Sequence, residues 1–294
     1  MFAKTLVMKS LFLALRPKQW IKNAFIFIPL IFGKELFLFP VNLKVVIAFS
    51  LFCMMASAVY LCNDILDYKE DKLHPQKKLR PIVSGKVSTK QAQITVTVLA
   101  LLATIFSLVL DKSFGWVIVG YFVLNIFYSL VLKKIVIIDV FCIGVFFLLR
   151  IIAGMAIIKV EYSYWMIFMI ILLALFLGFN KRRQELNQKD VSHREVLTKY
   201  DHYFIDQMIA VITSSIVVTY MLYTVDQRTI NLFHTNHLAY TIPFVYYGIF
   251  RYLYLVHKES RGEDPTYVLY SDFSMQLNLL LWVVSCVMVI YFHI

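Results

Sequence analysis

Apolar runs of about twenty residues recur from one end of this chain to the other, and they leave few folds open. Each run is long enough to cross a bilayer as a helix. The sequence therefore predicts an all-α polytopic membrane protein with nine spans, near residues 24–39, 43–62, 91–110, 114–132, 135–158, 162–180, 207–225, 238–256 and 275–294. Composition agrees. The 294 residues are 60% hydrophobic with a mean hydropathy of +0.73, whereas a soluble domain is about half apolar. The seven Pro and nine Gly leave no room for a disordered linker, so residues 1–294 read as a single transmembrane domain. All four Cys fall in apolar runs and form neither zinc-like spacing nor a disulfide framework. No cleavable signal peptide stands out in residues 1–15, and residues 1–20 read as an interfacial helix.

The net charge is +11 although only 16% of residues are charged. Basic residues mark the cytoplasmic side of membrane proteins. Residues 1–23, 64–90, 133–134, 181–205 and 258–272 hold 22 of the 29 Lys and Arg, and the opposite loops hold five. This asymmetry predicts a plasma (inner) membrane protein with its N-terminus and its two large loops, 64–90 and 181–205, in the cytoplasm. Nine spans then put the C-terminus outside. The excess charge suits anionic lipid headgroups and gives no reason to expect nucleic acid.

The first large loop opens with Asn63, Asp64, Asp67 and Asp71. Spacings of three and four place the three carboxylates on one helical face at the membrane surface. Like charges so placed need a cation between them. Mg²⁺ suits oxygen ligands and commonly binds one or two carboxylates together with substrate phosphates. Lys77 and Arg80 follow at once, and phosphate suits them. Lys18, Lys22 and Asn23 stand at the entrance to the first span, where they can share a face. Tyr128 and Lys133 close span four, able to donate a hydrogen bond and hold a phosphate. Asp139 and Arg150 lie within span five, and each reads equally as a structural ion-pair partner or a site residue. Lys181, Arg182 and Arg183 sit where span six leaves the membrane. No serine or cysteine nucleophile pairs with a histidine, and His74, His193 and His202 form no metal-ligand pattern.

Longer patterns carry a resemblance. They run in order through Arg16-Pro17-Lys18-Gln19-Trp20-Ile21-Lys22-Asn23, the stretch from Asn63 through His74-Pro75 to Arg80-Pro81-Ile82-x-Ser84-Gly85, and Tyr128-Ser129-xx-Leu132-Lys133. They continue through Leu149-Arg150-xx-Ala153-Gly154, Lys181-Arg182-Arg183-x-Glu185-Leu186, Tyr247-Gly248-xx-Arg251-Tyr252-Leu253 and Asp264-Pro265. Together they resemble the decaprenyl-phosphate phosphoribosyltransferase branch of the UbiA superfamily of intramembrane prenyltransferases, over nearly the whole chain. The resemblance implies a UbiA-like helical bundle with a cytoplasmic-side active site. It implies a Mg²⁺-dependent transfer of 5-phosphoribosyl from phosphoribosyl diphosphate to a polyprenyl phosphate. Asn63, Asp64 and Asp67 would be catalytic, Asp64, Asp67 and Asp71 would hold metal, and Lys18, Lys22, Asn23, Lys77, Arg80, Tyr128, Lys133, Lys181, Arg182 and Arg183 would bind substrate. Homo-oligomerisation stays open.

One departure matters. Aromatic prenyltransferases of the superfamily carry a second aspartate motif in the later loop, where this chain has Lys181-Arg182-Arg183. That argues against an aromatic or quinone-precursor prenyltransferase. A transporter is the reading from another class. It would show paired broken helices at mid-membrane, and the polar clusters here sit at one membrane face instead.

Overall fold

The computed structural model describes residues 2–74, 76–159, 164–187, 195–258 and 271–293, and every regular element among them is a helix. Proline disfavours helix in the residue before it, so the sequence sets a helix end at His74-Pro75; Pro75 itself, the start of span six at 162–163, His193 in the second loop and the Asp264-Pro265 pair lie outside the described residues. The chain divides into two compact units. One is Met1–Asp139 with Leu149–Val160, and the other is Val140–Leu148 with Glu161–Ile294.

The first unit begins with α1 (Phe2–Ala14), a long 3-10 helix (Pro17–Phe27) and the short α2 (Ile28–Phe32). Then come α3 (Phe39–Leu66), α4 (Tyr68–Leu73), α5 (Thr89–Leu110), α6 (Lys112–Leu130) and the later part of α7 (Ile138–Ile158). α3 is its axis and packs on α5, α6 and the 3-10 helix. Pro40 stands in the first turn of α3, where its missing N–H has no helical partner to lose. Ala48, Ala56, Ser57 and Ala58 are buried on it, small enough to let neighbouring backbones approach. At about 1.5 Å per residue, its 28 residues reach about 42 Å, beyond the hydrocarbon core, and carry Asn63 and Asp64 towards the polar edge.

α5 starts in a reciprocal capping box between Ser88 and Gln91. Asp111 closes α5 and caps α6, its side chain accepting from the Phe114 N–H at 3.0 Å, so the two helices form a tight hairpin with one connecting residue. Gly154 of α7 lies against the Ile26 carbonyl of the 3-10 helix, where a Cβ would collide with backbone.

The second unit holds α8 (Tyr164–Asn187), α9 (His202–Val225), α10 (Gln227–Phe233), α11 (Ile242–Lys258) and α12 (Phe273–Phe292), with the first part of α7. α8 packs on α9 and α11 on α12. Aspartate caps start three of these helices: Asp201 for α9, Asp226 for α10 and Asp272 for α12.

Among the described residues seven helices are long and apolar enough to cross a membrane: α3, α5, α6, α7, α8, α9 and α12. The other two expected spans take different forms. Residues 24–39 are the end of the 3-10 helix, α2 and a turn, and residues 238–256 are a short 3-10 segment (His237–Thr241) followed by the 17-residue α11. Apolar composition alone does not distinguish a broken segment from a continuous helix.

Candidate active site in the first unit

The carboxylates of α3 and α4 sit on the face that their spacing implies. The backbone bonds Asp67 N–H to Asn63 C=O and Asp71 N–H to Asp67 C=O, both 2.8 Å, carry the helical phase across the junction of the two helices. Asp64 is 1% exposed and Asp71 2% exposed. Such burial of charge is sustained only by partners.

Each carboxylate has one. Arg80 donates from a single Nη1 to Asp64, at 3.1 Å, and to Asp71. Arg16 donates to the same Asp64 oxygen. Lys133, from the 3-10 turn after α6, donates to Asp67 at 2.6 Å and has Glu70 at 3.9 Å. Three cations thus meet three aspartates. Burial holds the Asp71 carboxyl above the usual carboxylate range, and the charges of Arg80 and Lys77 pull it part of the way back.

Local sequence explains how these side chains are aimed. Arg80 precedes Pro81 and is extended, as a residue before proline prefers. The loop then turns, Ser84 N–H to Arg80 C=O at 2.8 Å and Val87 N–H to Pro81 C=O at 3.0 Å, with Gly85 at φ +76°. Ile82 and Val87 are buried with Ala14, Leu61 and Ala92, which pins the loop to α1, α3 and α5. His74 Nδ1 accepts the backbone N–H groups of Gln76 and Lys77. Arg16 has φ 55°, a left-handed conformation uncommon outside glycine, and its guanidinium lies over the Tyr60 ring, 5.2 Å from the centroid. Asn63 accepts from Ser129 of α6 at 2.6 Å.

Asn63, Asp64, Asp67, Asp71, Arg80 and Lys133 are therefore brought together, with Lys77 close enough to act on Asp71. Tyr128 is half-buried on α6 beside Ser129. Lys18, Lys22 and Asn23 do not share a face, because their segment is a 3-10 helix. Lys18 is exposed, Lys22 half-buried and Asn23 interior. Asn23 accepts from Arg150 Nε at 2.8 Å, and Arg150 also donates to the Tyr121 hydroxyl at 3.1 Å and lies over the Phe52 and Tyr121 rings. Asp139 is fully buried in the first turn of α7, and the nearby Lys133 is bonded to Asp67. Lys181, Arg182 and Arg183 are in the second unit, where Arg182 pairs with Glu185 at 2.5 Å and Arg183 with Asp206 at 2.5 Å. Sequence reasoning missed Arg16 and Ser129 as site residues. Both stand in stretches that carry the resemblance, but no role follows there for either, because nothing local shows that Arg16 reaches Asp64 or that Ser129 bonds 66 residues away.

Among the described residues, no three His, Cys, Asp or Glu side chains are gathered closely enough to hold a metal ion. The donor set still suits one. Two buried carboxylates converge on one point, and a cationic nitrogen of Arg80 stands there. Oxygen donors converging on positive charge are the ligands that Mg²⁺ takes.

The sequence profile of the UbiA prenyltransferase family matches residues 26–280. A decaprenyl-phosphate phosphoribosyltransferase of Mycolicibacterium smegmatis is 29% identical, with 97% of this chain and 94% of that protein aligned. The protein of the same name from Corynebacterium glutamicum is 31% identical, with 95% and 86% aligned. The uncharacterised y4nM protein of Sinorhizobium fredii is 30% identical over 85% of this chain, which spans 50% of its length. A solved structure of a UbiA homolog from Archaeoglobus fulgidus bound to GPP and Mg²⁺ superposes with a TM-score of 0.69 at 16% identity, covering 96% of this chain and 99% of that one. At that identity the likeness is one of fold.

Proposed function

Because this chain belongs to the UbiA prenyltransferase family, we propose that it transfers 5-phosphoribosyl from phosphoribosyl diphosphate to a polyprenyl phosphate of the decaprenyl type, releasing diphosphate. The observation that carries this reading is the likeness, over nearly the whole chain, to two decaprenyl-phosphate phosphoribosyltransferases. The lipid phosphate is anionic near neutral pH, so its oxygen attacks C1 of the ribose without a general base. The bond from C1 to the diphosphate oxygen breaks as the bond to the lipid phosphate oxygen forms, and the electron pair leaves with diphosphate. The work left to the protein is to hold two mutually repelling anions together and to stabilise the departing charge.

The residues suit that work. Asn63, Asp64, Asp67 and Asp71 supply oxygen donors for Mg²⁺, which when bound offsets the charge on the leaving diphosphate. Arg80, Lys77 and Lys133 grip phosphate groups, and Tyr128 donates a hydrogen bond beside them. Lys18 and Lys22 serve the remaining phosphates at the entrance, and Asn23, next in sequence and interior in the fold, holds the Arg150 guanidinium. Lys181, Arg182 and Arg183 are assigned to phosphate as well. An aromatic prenyltransferase would use carboxylates at that place.

On this reading residues 1–294 act as one transmembrane domain, crossing the plasma (inner) membrane nine times with the N-terminus and the site on the cytoplasmic side. Residues 237–258 fit that count, reaching about 35 Å at the rises of the two helix types, enough for a hydrocarbon core of about 30 Å. The test is to incubate the purified protein with labelled phosphoribosyl diphosphate, Mg²⁺ and decaprenyl phosphate. Label is expected in the lipid phase. Label that stays in water, while a prenyl diphosphate is consumed with an aromatic acceptor, would replace this reading with the prenyltransferase one.

A further inference from the structure

We infer that Arg16, Arg80 and Lys133 are exchangeable internal counter-ions: they neutralise the aspartates until the metal and the phosphorylated donor arrive, and then pass to the donor's phosphates. The inference rests on the proposed function and adds Arg16 to its site.

Charge balance is the first observation. Arg16, Arg80 and Lys133 carry three positive charges, and Asp64, Asp67 and Asp71 carry three negative ones, each paired with a member of the other set. The metal-ligating groups are therefore in use. A divalent cation entering alone displaces Arg16 and Arg80 from their carboxylates and leaves Lys133 only the exposed Glu70. A polyanionic donor entering alone draws the basic groups off and leaves buried carboxylates uncompensated. Either step strands charge in a poorly solvated place. Entering together, metal and donor give every group a new partner of opposite sign, carboxylates to metal and guanidinium or ammonium to phosphate.

The layering of the site is the second observation. The Arg16 and Arg80 side chains are 29% and 25% exposed, over Asp64 and Asp71 at 1% and 3%, while Lys133 at 14% is less exposed than its partner Asp67 at 26%. An arriving phosphate meets Arg16 and Arg80 before the carboxylates they cover. The third observation is backbone strain at Arg16, which holds φ 55° and so aims its guanidinium across Tyr60 at Asp64, 48 residues away. Non-glycine residues keep such a conformation where their surroundings demand it. Arg80 is the pivot, since its one nitrogen bridges Asp64 and Asp71, and an exchange at Arg80 frees both carboxylates together.

The experiment measures two affinities of the full chain in lipid nanodiscs, neither of which needs turnover. Mn²⁺ binding without donor is followed by electron paramagnetic resonance, and phosphoribosyl diphosphate binding at saturating Mg²⁺ by calorimetry. In Arg80→Gln the two are expected to move in opposite directions. Mn²⁺ alone binds at least tenfold tighter, because Asp64 and Asp71 are released, and the donor binds at least tenfold weaker. Arg16→Gln and Lys133→Gln are expected to show the same pair of signs with smaller changes, and they carry the test if Arg80→Gln does not fold. If Mn²⁺ binding is unchanged or weakened in folded variants, the basic groups are fixed structural partners and the exchange is wrong. If the wild-type protein takes up no phosphoribosyl diphosphate with Mg²⁺, the functional reading itself fails, whatever the variants do.

Discussion

Asp71→Ala tests how much of the site hangs on the Arg80 bridge. Asp71 lies a turn beyond Asp67, and from the sequence its removal should be the mildest of the three. For stability the structure places Asp71 ahead of Asp67. Asp71 is 2% exposed and shares Arg80 with Asp64. Breaking a buried pair by removing one member costs roughly 3–5 kcal/mol when the other charge is stranded. Here Arg80 keeps Asp64 at 3.1 Å and is 25% exposed, so it is only partly stranded. The expected loss is about 1–2 kcal/mol, the scale of one charge-assisted hydrogen bond. If Asp71 also holds metal, turnover at limiting Mg²⁺ falls at least about tenfold, since each 1.4 kcal/mol of lost binding is tenfold. Asp67→Ala removes a carboxylate whose side chain is 26% exposed, and should unsettle the fold less. Thermal melting in detergent and label transfer to lipid, measured on both variants, form the assay. Asp71→Ala with wild-type melting and wild-type turnover would show that the Arg80 bridge contributes nothing.

Asp71 also gives a pH dependence. Its folded carboxyl is held above the unfolded value of 3.8, so it favours folding when protonated, and that contribution is lost as pH rises through the folded value. Metal-free wild-type protein should therefore gain melting temperature relative to Asp71→Asn as pH falls from neutrality towards 4; no relative gain would contradict burial as the dominant influence. Gly154→Ala places a Cβ against the Ile26 carbonyl, and because backbone cannot swing aside it should destabilise by about 1–3 kcal/mol, read as a lowered melting temperature. Ser129→Ala deletes the 2.6 Å bond to Asn63 and should cost about 1 kcal/mol, with a loss of turnover larger than the loss of stability. Ser84 is exposed in the Arg80 loop, so a Ser84→Cys variant should escape an impermeant thiol reagent added outside intact cells; labelling there would reverse the proposed orientation.

Much of the fold was legible because a bilayer imposes its thickness on the sequence. α5 and α6 are marked by apolar runs, by Ser88 and Gln91 at one end and by Asp111 between them. The aspartate face was legible too, since i, i+3 and i+4 spacing is a local property. The first expected span was not, because its apolar residues fit a 3-10 helix and a short α-helix equally well. The basic partners were legible only as charge. Arg16 reaches Asp64 across 48 residues, and Lys133 reaches Asp67 across 66. Nothing in the spacing of either residue names its partner. Packing of α3 against its neighbours decides that, and packing is a property of the assembled unit.

Arg150 has a consequence for how the protein is made. It sits well inside α7, 4% exposed, and an arginine at the centre of a membrane helix costs roughly 2.5–3.5 kcal/mol to insert. Asn23, Phe52 and Tyr121, which receive its guanidinium, all precede it in the chain. When the ribosome delivers α7, these three groups have already been synthesised. Translation in this order gives the arginine of α7 a polar and aromatic cradle to enter. A circular permutant beginning at α7 would present the same arginine to lipid before any of those groups exist.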